Sequence, residues 1–138
     1  MTEDDERPLM KNALKAGFSY FATVFAAGFM LGAIRTLLVE PKTGALAAVA
    51  LEMPLMLAVS WMACGWALRR FELDSKVSTR LVMSVVAFAL LMTAELLFSM
   101  LLAGRSISDH LVLYLTAPML LGLSAQLAYA LFPLVRLR

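Results

Sequence analysis

The sequence predicts an all-α polytopic membrane protein, an antiparallel bundle of four transmembrane helices, on three observations. Hydrophobic residues make up 62% of the chain and charged residues 16%, where soluble domains run nearer about half and about a quarter. The charges fall in short clusters that separate four long apolar runs. Each run reaches the roughly 20 residues that a helix needs to cross a hydrocarbon core of about 30 Å. At 138 residues and a mean hydropathy of +0.82, one water-soluble core could not bury all four.

The first run gives a span over Ala16–Val39. It is longer than the roughly 7–15 apolar residues of a signal-peptide core, and the segment before it, Met1–Arg7, is acidic where a signal is basic. A retained span is expected. Pro41 and Gly44 then break the helix, and a second span follows over Gly44–Leu68. A polar connection from Arg69 to Arg80 leads to a third span over Leu81–Ala103, with Ser78 as its expected N-cap. The last connection, Gly104 to His110, offers Ser108 or Asp109 as the cap of a fourth span over Leu111–Val135. Connections this short make consecutive helices antiparallel neighbours. Residues 1–138 are thus expected to form a single transmembrane domain.

Lysine and arginine fall unevenly about these spans. One side holds Arg7, Lys11, Lys15, Arg69, Arg70, Lys76, Arg80, Arg136 and Arg138, and the other holds Arg35, Lys42 and Arg105. Basic residues collect on the cytoplasmic side of membrane proteins. The bias predicts cytoplasmic termini and a cytoplasmic middle connection, in a bacterial inner membrane. Tyr20, Trp66 and Phe71 near one boundary, and Tyr114 near the other, suit interfacial belts.

Several function classes are excluded. The net charge of +2 and the lack of a basic stripe interleaved with aromatics argue against nucleic acid. A single cysteine, Cys64, allows no intramolecular disulfide and no CxxC motif. Phosphate-loop, nucleophile-elbow, HExxH and EF-hand patterns are missing. The ten methionines are scattered without a tight repeat, which favours flexible packing over a Cu(I) site. Glu52, Glu95 and His110 lack the paired ExxH motifs of diiron bundles. No cofactor and no metal is expected.

What remains is a set of ionisable residues inside the spans: Arg35, Glu52 and Glu95. A charge near mid-helix costs about 2.5–3.5 kcal/mol on insertion scales, so such residues face a partner or water and mark function by default. At about 1.5 Å rise per residue, both glutamates lie roughly 12–14 Å from the ends of their helices, in the half of the bundle opposite the termini. Arg35 lies nearer that end, with a stem long enough to reach inward. Helical spacing puts Ser84, Phe88, Met92, Glu95 and Ser99 on one face of the third span. It also joins Gly28 and Gly32 to the face of Arg35, a GxxxG that would admit a close neighbour. A pairing of Arg35 with one or both carboxylates follows. Pro54 frees the carbonyl of Ala50 and Pro118 that of Tyr114. Gln126 is the strongly polar side chain of the fourth span and is expected nearer the termini. Ser99, His110 and Gln126 are secondary candidates for the site.

The run Gly28-Phe-Met-Leu-Gly-Ala-Ile-Arg35, followed by Pro41, Gly44, Glu52-Met-Pro-Leu-Met56 and Ala94-Glu95, resembles an uncharacterised family of short four-helix bacterial inner-membrane proteins. The resemblance implies four spans in that membrane and no activity.

The residues favour a pocket of Arg35, Glu52 and Glu95 that faces the periplasm and binds a small ligand, ion or proton, with transport by a homo-oligomer as its use. An ion network that only fixes helix register remains an alternative. So do an accessory or assembly subunit of a larger membrane complex and a small membrane enzyme acting on a lipid. The lipid bilayer is the expected partner in every case.

Overall fold

The computed structural model describes residues 3–136, and four long apolar helices packed antiparallel carry the fold. The Arg138 counted in the charge bias, and Met1 at the acidic N-terminus, lie outside the described residues. The first span is longer than expected. Its helix, Glu3–Ile34, runs on through a π-helical stretch, Arg35–Val39, into a last turn, Glu40–Thr43. Pro41 does not break it, because it falls in the first turn after the π stretch, where a missing N–H matters little. The break comes at Gly44, whose φ of 88° suits glycine. Its N–H closes on the Glu40 carbonyl at 2.8 Å.

The second span is Ala45–Arg70, continuous through Pro54 and ending on two arginines, which favour the carbonyl end of a helix. The third span, Val77–Leu102, starts before Ser78. Lys76 is its N-cap and no side chain caps it, so the expected role of Ser78 is overturned. The fourth apolar run divides in two. A short helix, Ile107–Leu113, starts at Ser106, whose hydroxyl accepts from the Asp109 N–H at 3.1 Å in a capping box. Asp109 and Ser108 are therefore inside that helix. After a turn at Tyr114–Thr116 the spanning helix is Ala117–Val135, only 19 residues long. Pro118 sits in its first turn. It starts the helix and interrupts nothing, which corrects the reading that it frees the Tyr114 carbonyl.

The first span packs against the second and third, and the fourth packs against the same two. Second and third spans thus stand on one diagonal and are not the neighbours expected from their short connection, because that connection, residues 71–76, crosses an end of the bundle. We call that end, which also carries the start of the first helix and the end of the fourth, proximal and the other distal. The buried core lies almost wholly in the proximal half: Ala16, Tyr20, Val24, Ala63, Cys64, Ala67, Leu68, Met83, Ala87, Leu91 and Tyr129. Tyr20 is not an interfacial residue as expected. It is 0% exposed, stacks on Tyr129 at 4.4 Å between ring centroids, and donates to the Tyr129 carbonyl at 2.6 Å. A hydroxyl in an apolar core needs such an acceptor, and the fourth span brings one within reach.

The glycines also depart from expectation. A Cβ on Gly28 would meet only the methyl of Met56, at 3.4 Å, and one on Gly32 would meet no neighbouring helix within 4 Å. The close approach is at Gly17, where a Cβ would lie 3.0 Å from Val86 and 3.1 Å from the Met83 carbonyl oxygen.

Candidate functional site

The polar side chains of the distal half form the candidate site. Arg35 is the first residue of the π-helical stretch, an irregularity that recurs at functional positions in helices. Its Nη1 donates to Glu52 Oε2 at 2.7 Å, joining the first and second spans. The two side chains are 31% and 13% exposed, so the pair is partly withdrawn without being sealed.

Glu95 has other partners. Gln126 Nε2, on the fourth span, donates to its Oε1. The Tyr114 hydroxyl donates to its Oε2 at 3.5 Å and also approaches the Met92 sulfur at 3.9 Å. The Arg35 charge acts on Glu95 without a hydrogen bond between them. One arginine clamping two carboxylates is thus replaced by two neighbouring units, Arg35 with Glu52 and Glu95 with Gln126 and Tyr114. The cause is geometric. The third span touches both the first and the fourth, and the amide and phenol of the fourth-span region reach Glu95.

Gln126 was expected nearer the termini. Because the fourth helix begins only at Ala117, Gln126 lies roughly 13 Å from the distal end, at the depth of Glu95. His110 is buried with its ring edge-on to Tyr114, 5.4 Å between centroids. Ser99 is turned away from this layer; its hydroxyl accepts from Arg105 Nη1 at 3.2 Å and ties down the connection after the third span. Pro54 is exposed and does not line the layer.

Four buried side-chain atoms have no hydrogen-bond partner among the described residues, and three of them are in this layer: Arg35 Nε, His110 Nδ1 and Gln126 Oε1. The fourth is the Ser84 hydroxyl. Leaving a buried donor or acceptor unpaired costs about 1–3 kcal/mol. The three atoms mix donor and acceptor character. Among the described residues no group of three or more His, Cys, Asp or Glu side chains could hold a metal ion.

Sequence reasoning missed a second polar centre, at the proximal end. Arg80 is 4% exposed. Its Nε donates to the Asp74 carbonyl at 2.9 Å, and its Nη1 donates to the carbonyls of Pro133 and Arg136, each at 2.9 Å. The last carbonyls of a helix lack intrahelical partners, and Arg80 supplies them for the fourth span. Arg136 lies over the Trp61 ring at 4.1 Å and its guanidinium occupies the space above Gly65, so that a side chain there would have to displace it. The available signal was the position of Arg80, one residue before the long apolar run that begins at Leu81.

No protein-family model matches the chain, and no curated protein or solved structure matches it either. Of the resemblance drawn from the sequence, the four long apolar helices are found and no family is identified.

Proposed function

We propose that this membrane protein binds a small polar ligand, ion or proton in its distal layer, through Arg35, Glu52 and Glu95, with Gln126 and His110 completing the site. The observation that carries this reading is that three side chains of the distal half, Arg35, His110 and Gln126, keep buried polar atoms without a partner: Nε, Nδ1 and Oε1. A network serving only to lock helix register has no reason to leave them open. The proximal Arg80 illustrates such a lock, with its Nε and Nη1 bonded to three carbonyls. Intramembrane carboxylates that touch phenol and amide groups also suit a proton relay.

Transport is the use we assign to the site. A bundle of this size has little room for a wide path, so a homo-oligomer is part of the proposal. Nine basic residues against three favour cytoplasmic termini and a distal end open to the periplasm of a bacterial inner membrane. Reporter fusions at Ser75 and Ser106 test the orientation, and reports from the same side would contradict it.

The binding reading is tested by pairing two measurements. A thermal-shift screen of small cations, anions and zwitterions on the purified protein should find a ligand that raises Tm, with the shift lost in Arg35→Ala and Glu95→Gln. Proteoliposomes holding a pH-sensitive dye should show potential-driven proton entry that Glu95→Gln abolishes. If no ligand shifts Tm and no proton flux appears, the distal layer is a structural feature and the proposal falls.

A further inference from the structure

In the proximal half, the first and second spans leave an open apolar groove of about 440 Å³, lined by Thr23, Val59, Met62, Ala63 and Trp66. Ala63 belongs to the buried core, whereas Met62 and Trp66 stand exposed along the wall. The hydroxyl of Thr23 is turned onto its own helix and donates to the Ser19 carbonyl at 2.9 Å. With that donor occupied, the groove suits an alkyl chain.

Arg69 and Arg70 follow Trp66 by three and four residues in the same helix, which is the spacing of side chains on one face. Both are exposed, and among the described residues neither has a carboxylate within ion-pair distance. Glu72 is close in sequence and pairs with neither. Arg70 rests over the Phe71 ring at 5.4 Å. Arginines in a last helical turn favour the carbonyl end of any helix, so their placement alone says little. The groove one turn below them is the independent observation. It would lead an apolar tail directly to two unneutralised guanidinium groups, whose planar forks match phosphate.

We infer that the groove and these arginines form a site for an anionic phospholipid, with one acyl chain between the first and second spans and the phosphate on Arg69 and Arg70. The occupant is lipid, since the apolar floor and the basic rim are arranged in the order of tail and headgroup. Basic residues at a membrane boundary also draw anionic lipids by charge alone. The groove adds a fixed place for one of them.

Trp66 is a built-in reporter. The chain has two tryptophans, and Trp61 faces the fourth span, edge-on to Phe132 at 5.1 Å. Trp61→Phe therefore leaves Trp66 as the sole emitter. This variant is reconstituted into phosphatidylcholine vesicles containing rising fractions of acyl-brominated phosphatidylglycerol or acyl-brominated phosphatidylcholine. Brominated phosphatidylglycerol should quench Trp66 at a several-fold lower mole fraction, and Arg69→Gln with Arg70→Gln should remove that preference. Equal quenching by the two lipids overturns the proposal. Absence of quenching by both also overturns it, because protein, a second copy included, then covers the groove. Native mass spectrometry of the unaltered chain from mixed micelles gives a check that needs no tryptophan change. It should retain phosphatidylglycerol over phosphatidylcholine, and equal retention contradicts the site.

Discussion

The two halves of the bundle handle an intramembrane arginine in opposite ways. In the proximal half Arg80 is buried and donates to three backbone carbonyls, and around it Tyr20 and Tyr129 also find carbonyl acceptors. In the distal half Arg35 is partly exposed, holds one carboxylate and keeps Nε unpartnered. The apolar packing follows the same division. Buried residues crowd the proximal ends of all four helices, while Ala48, Ser99 and His110 are the buried ones near the distal end. A polar group that stabilises a bundle is one whose hydrogen bonds close within it. Of the four buried atoms without a partner among the described residues, three are in the distal half and one, the Ser84 hydroxyl, is in the proximal half. The proposed binding site rests on this difference between the halves, which composition alone does not reveal.

Four substitutions test this division, and the largest effect belongs to the scaffold. Arg80→Ala removes a charged donor from three carbonyls, and hydrogen bonds to charged groups are worth about 1.5–3 kcal/mol each. Losses within one cluster are not additive, so a destabilisation of about 3 kcal/mol is expected, read from unfolding in detergent. A loss near zero would mean that the proximal end is not locked.

Next comes Arg35→Ala, which strands Glu52. We expect a loss of about 2 kcal/mol, recovered in part by adding Glu52→Gln. Adding Glu95→Gln in place of Glu52→Gln should recover little, because Glu95 hydrogen-bonds to Gln126 and Tyr114. Equal rescue by either would merge the two units into one.

Tyr129→Phe removes the hydroxyl that donates to the Ala87 carbonyl at 3.1 Å. A cost of about 1 kcal/mol is expected, and the ring stack with Tyr20 should survive it. The smallest effect is at Gly32. With no neighbouring helix near its Cβ position, Gly32→Ala should be neutral or gain up to about 1 kcal/mol of helix propensity. A large loss there would restore the GxxxG contact.

Much of the fold was legible because it rests on length and hydropathy, which act one helix at a time. Four spans, the interruption at Gly44 and the shared distal depth of Arg35, Glu52 and Glu95 all belong to that class. What was not legible depends on how helices face each other. Tyr20 reads as an interfacial aromatic until the fourth span supplies the Tyr129 carbonyl. Arg80 reads as a flanking charge until the C-terminal carbonyls close over it. Glu95 could have faced either the first or the fourth span, since the third touches both. The division of the last apolar run was half visible: Thr116 and Pro118 make a helix start, but the apolar residues on both sides hide it.

The central claim, a tightly packed proximal half and a more open distal layer, is tested most directly by thiol accessibility in membranes. Cys64 is fully buried in the proximal core and should resist a small maleimide under native conditions, reacting only after denaturation. In a Cys64→Ala background, Gln126→Cys should react with a membrane-impermeant methanethiosulfonate reagent supplied from the distal side. A reactive Cys64 beside an inert Gln126→Cys would contradict the account.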